Sequence, residues 1–201
     1  MEFHDFLRSR RSVRRFRQDE VPDSTIQRIL TTATYAPSAH NRQPWRFCVV
    51  KQSGAKSRLA DAMAAEFRAD LLRDDLGPGD VSTRVEQSRS RINSSPVVIV
   101  LCMDMSEMDV YPDARRANAE RMMAIQSTAA AGLQLLLAAL AEGLTGVWTC
   151  GPLFAPDAVR MALDLDKSWE PQAMFFIGVP DQTPGAKVMK PLQDVVRTVQ
   201  V

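Results

Sequence analysis

The run AAAGLQLLLAALA at 129–141 limits the possible folds more than any other stretch, because a helix drawn over it is apolar on every side. Such a helix cannot keep one face in water and must be covered all round, by its own chain or by a second copy. Its alanines and Gly132 allow close helix packing. Gln134, Glu142 and Gly143 stop the apolar run short of the roughly 20 residues that a membrane-spanning helix needs, so the reading is a buried helix. The helical pattern reaches back to about residue 115 and ends at 142, and Gly143 follows where a positive φ is required. A small domain has difficulty surrounding such a helix by itself, and the run therefore predicts a dimer.

Sheet is predicted beside it. VVIVLCM at 97–103 and AMFFIGV at 173–179 are continuously apolar, as central strands covered on both faces are. Trp45, Phe47 and Val49 alternate with Arg46 and Cys48, which predicts a strand over 45–50, and LTGVWTCG at 144–151 reads as a tight turn and a short strand. Helical spacing is found at Phe3, Phe6 and Leu7, at Ile26, Ile29, Leu30 and Ala33 after Pro22 and Asp23, and at 156–163. Leu59, Met63, Phe67 and Leu71 mark another helix, which follows a break at Gly54 and ends near 72. RDDLGPGD at 73–80 predicts a loop; residues 81–93 then carry a thin apolar face among Arg84, Arg89 and Arg91, read as a surface helix or a mobile lid. Val195, Val196, Val199 and Val201 suggest a last strand along a sheet edge. At 201 residues and 45% hydrophobic composition, one domain spanning 1–201 with a sizeable core is expected.

A net charge of +1 favours neither nucleic acid nor an anionic membrane as a global partner, so anion binding has to come from local clusters. The first residues are acidic and aromatic, unlike a signal peptide. Cys48, Cys102 and Cys150 are odd in number and lack the spacing of a metal site or redox pair, which fits a reducing cytoplasm. Asp164 and Asp166 have too few oxygen donors nearby for calcium.

Two stretches have the composition of a binding site. Within YAPSAHNRQPWRFCVV at 35–50, Pro37 stops the preceding helix, and Ser38, Ala39, His40 and Asn41 make a small polar connector ended by Pro44. Asn41 and Gln43 each supply an amide that donates and accepts, suited to the mixed edge of a heterocycle or a polyol; a plain polar loop is the alternative. Arg8, Arg10, Arg11, Ser12, Arg14 and Arg15 form the densest basic cluster, either a solvated turn or a phosphate clamp in which guanidinium forks pair with phosphate oxygens. Trp148, Thr149, Cys150 and Gly151 close a short strand, and Lys187 and Lys190 flank the glycine and prolines of the C-terminal segment. Cys150 has no base tied to it by sequence that would make its thiol a nucleophile.

Pro-Ser-x-x-Asn-x-Gln-Pro-Trp at 37–45 resembles the flavin-binding loop of the nitroreductase family, and Arg10-Arg11-Ser12-x-Arg14 resembles that family's opening motif. AAGLQLLLAALAEGLTGVWTCGPLF at 130–154 is similar to its long central helix and the segment beside the flavin ring, and Lys-Pro-Leu at 190–192 to its terminal basic motif. The resemblance implies an α+β fold, with a central mixed β-sheet flanked by helices around the long buried helix, in a homodimer with FMN at the subunit interface. It assigns Arg10, Arg11, Ser12 and Arg14 to the flavin phosphate and ribityl chain. Pro37, Ser38, Ala39, Asn41 and Gln43 fall to a flavin held mainly by the neighbouring chain, and Trp148, Thr149, Cys150 and Gly151 to the ring edge. Lys187 or Lys190 falls to the phosphate. Ping-pong transfer from NADH or NADPH through FMN to a nitroaromatic, quinone or flavin-like acceptor is implied, with no side chain acting as acid or nucleophile. FMN rather than FAD is expected, since the chain has no Gly-x-Gly-x-x-Gly fingerprint. APSAHNRQPWRF, AEGLTGVWTCGPLF and WEPQA look closest to the reductase domain associated with the γ-glutamyl ligase of deazaflavin coenzyme (coenzyme F420) biosynthesis, which suggests a deazaflavin precursor as an alternative acceptor. A non-catalytic flavin-binding protein is a further alternative.

Overall fold

A computed structural model describes residues 2–199 of the chain. Four strands, β1 (Trp45–Val50), β2 (Val97–Asp104), β3 (Thr145–Thr149) and β4 (Trp169–Gly178), form one sheet in the order β1-β2-β4-β3. Every residue of β2 is buried, as its unbroken apolar run requires.

All three strand pairings are antiparallel, which corrects the expected mixed sheet. Strands β2 and β3 do run in the same direction, but β4 is inserted between them, so they exchange no hydrogen bonds. Among the described residues the parallel contact is a single bridge from Ser12 to Gly146.

The described residues form six α-helices, α1 (Phe3–Ser9), α2 (Asp23–Ala33), α3 (Ser53–Arg73), α4 (Pro78–Ser94), α5 (Ala114–Ala141) and α6 (Pro156–Leu163), of which α2 to α6 pack on the sheet and α1 buries no residue. Val97, Ile99 and Leu101 of β2 and Phe175 of β4 pack with Ile29 of α2 and Leu135 of α5 on one face. Val98, Val100, Met174 and Phe176 pack on the other face with Leu59 and Met63 of α3, Ile92 of α4 and Val159 of α6. This period-two division of the strands makes two apolar layers from one sheet.

Helix α5 lies against the first face through Ala131, Gly132, Leu135 and Ala139. The whole 28-residue helix is long and apolar enough to cross a membrane by length and composition, while the apolar run at 129–141 is by itself as short as expected and packs into the core. The upstream turns supply the extra length, and half of the most apolar window is buried inside the fold. Leu133, on the other side of the helix, is 50% exposed, so one chain does not complete the expected cover. A Cβ at Gly132 would lie 2.5 Å from Trp148 Cζ3 and 3.0 Å from Leu101 Cδ2. The Trp148 ring is held edge-on to Phe175 at 5.0 Å and has little room to retreat. Gly132→Ala is therefore expected to cost about 1–3 kcal/mol by overpacking. An unchanged urea midpoint would show that the ring moves aside freely.

Two expectations for α3 and α4 need correcting. Gly54 does not break the chain; it lies in the first turn of α3. Helix α4 begins at Pro78, where a missing N–H costs nothing, so the intervening loop is shorter than predicted. Val81, Val85 and Ile92 are all buried, the first two against Ala64 and Leu71 of α3, and this packing holds α4 down more firmly than its thin apolar face suggested. Among the described residues beyond β4 there is one 3₁₀ turn, Leu192–Asp194, and Val195, Val196 and Val199 are exposed without forming a strand. Val201 lies outside the described residues.

Candidate functional site

Residues 10–17 leave α1 and run along the edge of β3. Val13 N donates to Gly146 O at 3.3 Å, Arg17 N to Val179 O at 3.0 Å, and Asp181 N to Arg15 O at 3.0 Å. Val13 and Phe16 are buried in the core, and these anchors leave Ser12, Arg14 and Arg15 exposed. Arg14 and Arg15 face α4 across a cleft of about 860 Å³. Its far wall is Ser82, Thr83, Glu86, Gln87, Ser90, Arg91 and Ser94, a single helical face of α4. Sequence reasoning missed this wall, although the repeat of polar residues at every fourth position was there to be read.

Arg91 also lines a second cavity of about 400 Å³, to which Thr149 and Gly151 contribute at the end of β3. The two cavities therefore share Arg91 in their linings, one with Arg14 and Arg15 and the other with Thr149 and Gly151. Thr149 Oγ1 donates to Met174 O at 3.1 Å, fixing the end of the strand. A Cβ at Gly151 would lie 3.0 Å from Met63 Cε, the flexible end of a methionine, so glycine leaves this backbone uncovered. Trp148 alternates to the opposite face, where its ring packs on Phe175 and its Nε1 donates to Cys150 Sγ at 3.2 Å. Its ring lines neither cavity. Cys150 is exposed, whereas burial raises the pKa of Cys48 and pushes the Cys102 thiol up to about 12, leaving those two thiols protonated.

The connector at 37–43 has an unusual backbone. His40, Asn41 and Gln43 have φ of 50°, 55° and 50°, three left-handed non-glycine residues within four positions. Each costs on the order of 1–3 kcal/mol, and such residues cluster at ligand clamps when their surroundings hold them. Here Ala39 N donates to Ser127 Oγ of α5 and Gln43 N to Ser38 Oγ, both at 3.1 Å, while Gln43 Nε2 donates to Asn41 Oδ1 at 3.3 Å. Arg42 pairs with Asp109 at 2.5 Å. Pro37, Asn41 and Gln43 stay exposed, and the loop lines neither cavity of its own chain.

Arg14 thus shares the cleft with Arg91, Thr149 and Gly151 share the smaller cavity with Arg91, and the 37–43 loop lines neither. Arg10 and Arg11 are half-buried at the end of α1, and Ser12 sits on Gly146 beside the cleft. Lys187 and Lys190 are exposed in the C-terminal segment. Arg89, grouped in the sequence with Arg84 and Arg91, is committed to Asp61 at 2.5 Å and Glu86 at 3.6 Å. The three arginines of α4 therefore do not form one anion site.

A phosphorylated, hydroxylated ring compound such as FMN requires a cationic end, a trough of hydrogen-bonding groups and a flat place for its ring. The cleft offers Arg14 and Arg15, then the hydroxyl and amide groups of Ser82, Gln87 and Ser90, and opens at Arg91 toward the Gly151 cradle. These residues fit the group.

The nitroreductase family model matches residues 7–179. Bacillus subtilis YfhC, whose name gives NAD(P)H nitroreductase as a provisional activity, is 28% identical over 190 residues, covering 94% of this chain and 90% of its own. A BluB-like flavoprotein of Clostridium difficile has the same fold, with a TM-score of 0.83 at 23% identity and full coverage of both chains. A Desulfovibrio desulfuricans protein solved in complex with FMN is 25% identical, with a TM-score of 0.74 over 98% of this chain and 96% of its own. A family match over nearly the whole chain, together with this fold, identifies the chain as a member of the nitroreductase family.

Proposed function

We propose that the protein is an FMN-dependent oxidoreductase that passes reducing equivalents from NADH or NADPH to a quinone, nitroaromatic or flavin-like acceptor. The observation that carries this reading is the junction at Arg91 between a polar, arginine-ended cleft and a smaller apolar cavity. The FMN complex of the Desulfovibrio desulfuricans relative and the nicotinamide in the name of YfhC support the cofactor and the donor.

Arg10 and Arg14, with Lys187 or Lys190, hold the phosphate through charge-assisted hydrogen bonds, and Arg11 and Ser12 serve the ribityl chain. Ser82, Gln87 and Ser90 of α4 would supply hydrogen bonds along the cleft between the phosphate and the ring. The backbone of residues 148–151 lies along its other edge, where Gly151 permits approach without a side chain. When bound, FMN supplies reversible two-electron transfer, and the protein supplies position and hydrogen bonds. With a quinone the balance is NAD(P)H plus a proton plus quinone giving NAD(P)⁺ plus hydroquinone.

The unit that does this is a single domain, 1–201, acting as a homodimer in the reducing cytoplasm; all three thiols are free. Three features support the dimer: the incomplete cover of α5, the unpaired outer edge of β1, and the exposed Val195, Val196 and Val199. Pairing of this tail with the β1 edge of a second copy would bury both. The strained loop, with Pro37, Ser38, Ala39, Asn41 and Gln43, then contacts flavin in the neighbouring chain. Sedimentation followed at 280 and 450 nm is expected to show flavin travelling with a dimer, and mass analysis of the heat-released cofactor to give FMN. A stable FMN-loaded monomer would refute the dimer, and FAD would refute the cofactor.

The alternative of a deazaflavin precursor relies on Arg84, Arg89 and Arg91 as an anion site. The commitment of Arg89 to carboxylates favours the general acceptor over that reading. A non-catalytic flavin carrier would bind FMN without its reduction by either nicotinamide.

A further inference from the structure

Helix α3 presents two adjoining stripes to the 400 Å³ cavity. Met63, Phe67 and Leu71 form the apolar one; Glu66, Asp70 and Asp74, each three residues further along, form the acidic one. Met174 and Phe176 continue the apolar surface from the sheet, and Phe154, 75% exposed, stands at the rim. A mainly apolar cavity of this size fits a one- or two-ring aromatic molecule.

The carboxylates give it a sign. Asp70 is paired with Arg73 at 2.7 Å, but among the described residues Glu66 and Asp74 have no ion pair. Asp74 is the C-cap of α3, followed by Asp75, so these charges add to the negative end of the helix dipole. Carboxylates are disfavoured at that end of a helix, so their negative potential is held there against local stability. Arg91 is the cation of the lining, and it sits at the junction with the cleft.

We propose that this cavity is the acceptor chamber and that its α3 carboxylates select aromatic acceptors carrying a positive charge, over neutral ones and most strongly over anionic ones. The inference rests on the flavin reading above and names the substrate class of the same site. An acceptor lays its ring on Phe67 and Met174 and its cationic group toward Glu66 and Asp74. A quinone held so gains two electrons and two protons to become the hydroquinone, the electrons and one proton coming from the reduced cofactor and the other proton from solvent.

The test uses FMN-loaded protein reduced anaerobically by light, so that it runs whether or not a nicotinamide reduces the flavin. Reoxidation is timed with three probes: a neutral naphthoquinone, its sulfonate and its quaternary-ammonium derivative. The second-order rate constants should fall in the order cation, neutral, anion over at least about tenfold at low salt, and the spread should narrow as salt rises. Glu66→Gln/Asp74→Asn should bring the three within about threefold by removing the charge that steers them. Phe67→Ala should lower the second-order rate constant for all three and leave FMN affinity unchanged. Equal rates for the three probes, or an unchanged order in the double variant, would overturn the charge selection. Weaker FMN binding in Phe67→Ala with unaltered quinone kinetics would assign the cavity to the flavin instead. Failure of both nicotinamides to reduce the flavin, with the probe order intact, would count against the proposed donor and leave this inference standing.

Discussion

The Arg10→Ala/Arg14→Ala variant is expected to remain folded and dimeric while losing about two to four decades of FMN affinity. Each guanidinium removes a charge-assisted phosphate contact worth roughly 1.5–3 kcal/mol, and two such losses sum to about 3–6 kcal/mol if they add. Folding is expected to survive because Arg14 is exposed and the segment is anchored by its neighbours, Val13 and Phe16, and by backbone bonds to Gly146 and Val179. Fluorescence titration of the apoprotein with FMN reads the affinity, and far-ultraviolet circular dichroism the fold. An unchanged dissociation constant in a folded double variant would remove the phosphate-clamp role from residues 10–14.

Phe175→Ala acts on stability instead. Phe175 is fully buried in β4, opposite Ile99 of β2, and its ring meets Trp148 edge-to-face. Truncation leaves a cavity between sheet and α5 and is expected to cost about 3–5 kcal/mol. That is a large share of the roughly 5–15 kcal/mol that a domain commonly has. Urea unfolding of the flavin-free protein should show the loss, and the near-ultraviolet signal of Trp148 should change with it. A cost below about 1 kcal/mol would mean that this layer collapses around the gap, contrary to the packing described.

Local pattern revealed the elements that depend on local physics. Pro156 and the spacing after it marked α6 at its observed bounds, and the continuous apolar run of β2 announced a strand covered on both faces. Gly143 is at φ 75°, the left-handed position expected beyond α5. Strand direction was not legible in the same way. The insertion of β4 between β2 and β3 depends on pairings between residues far apart in the chain. The early start of β4 at Trp169 was hidden by Pro171, which cannot donate to a ladder; the register shifts between Leu101 and Cys102, and Pro171 sits opposite Cys102 across that irregularity.

The site divides similarly. Arg14, Thr149 and Gly151 stand in short motifs with recognisable chemistry, and the structure gathers them near Arg91. The polar repeat along α4 was readable in the sequence, but what it faces was not, because that depends on Arg14 and Arg15, which lie far from it in the chain. Strand alternation at Val147, Trp148 and Thr149 did contain the answer that Trp148 turns toward α5, because only every second side chain can share a face with Thr149. The left-handed backbone at His40, Asn41 and Gln43 had only a weak sequence signal, since asparagine and histidine tolerate positive φ better than most residues but none of the three is glycine.

Anaerobic titration of the FMN-loaded protein with NADH and with NADPH, followed at 450 nm, tests the central claim most directly. The account predicts complete bleaching by one equivalent of at least one of the two nicotinamides and return of the absorbance on adding a quinone. Flavin that stays bound and oxidised in excess of both donors would contradict it and make the protein a flavin carrier.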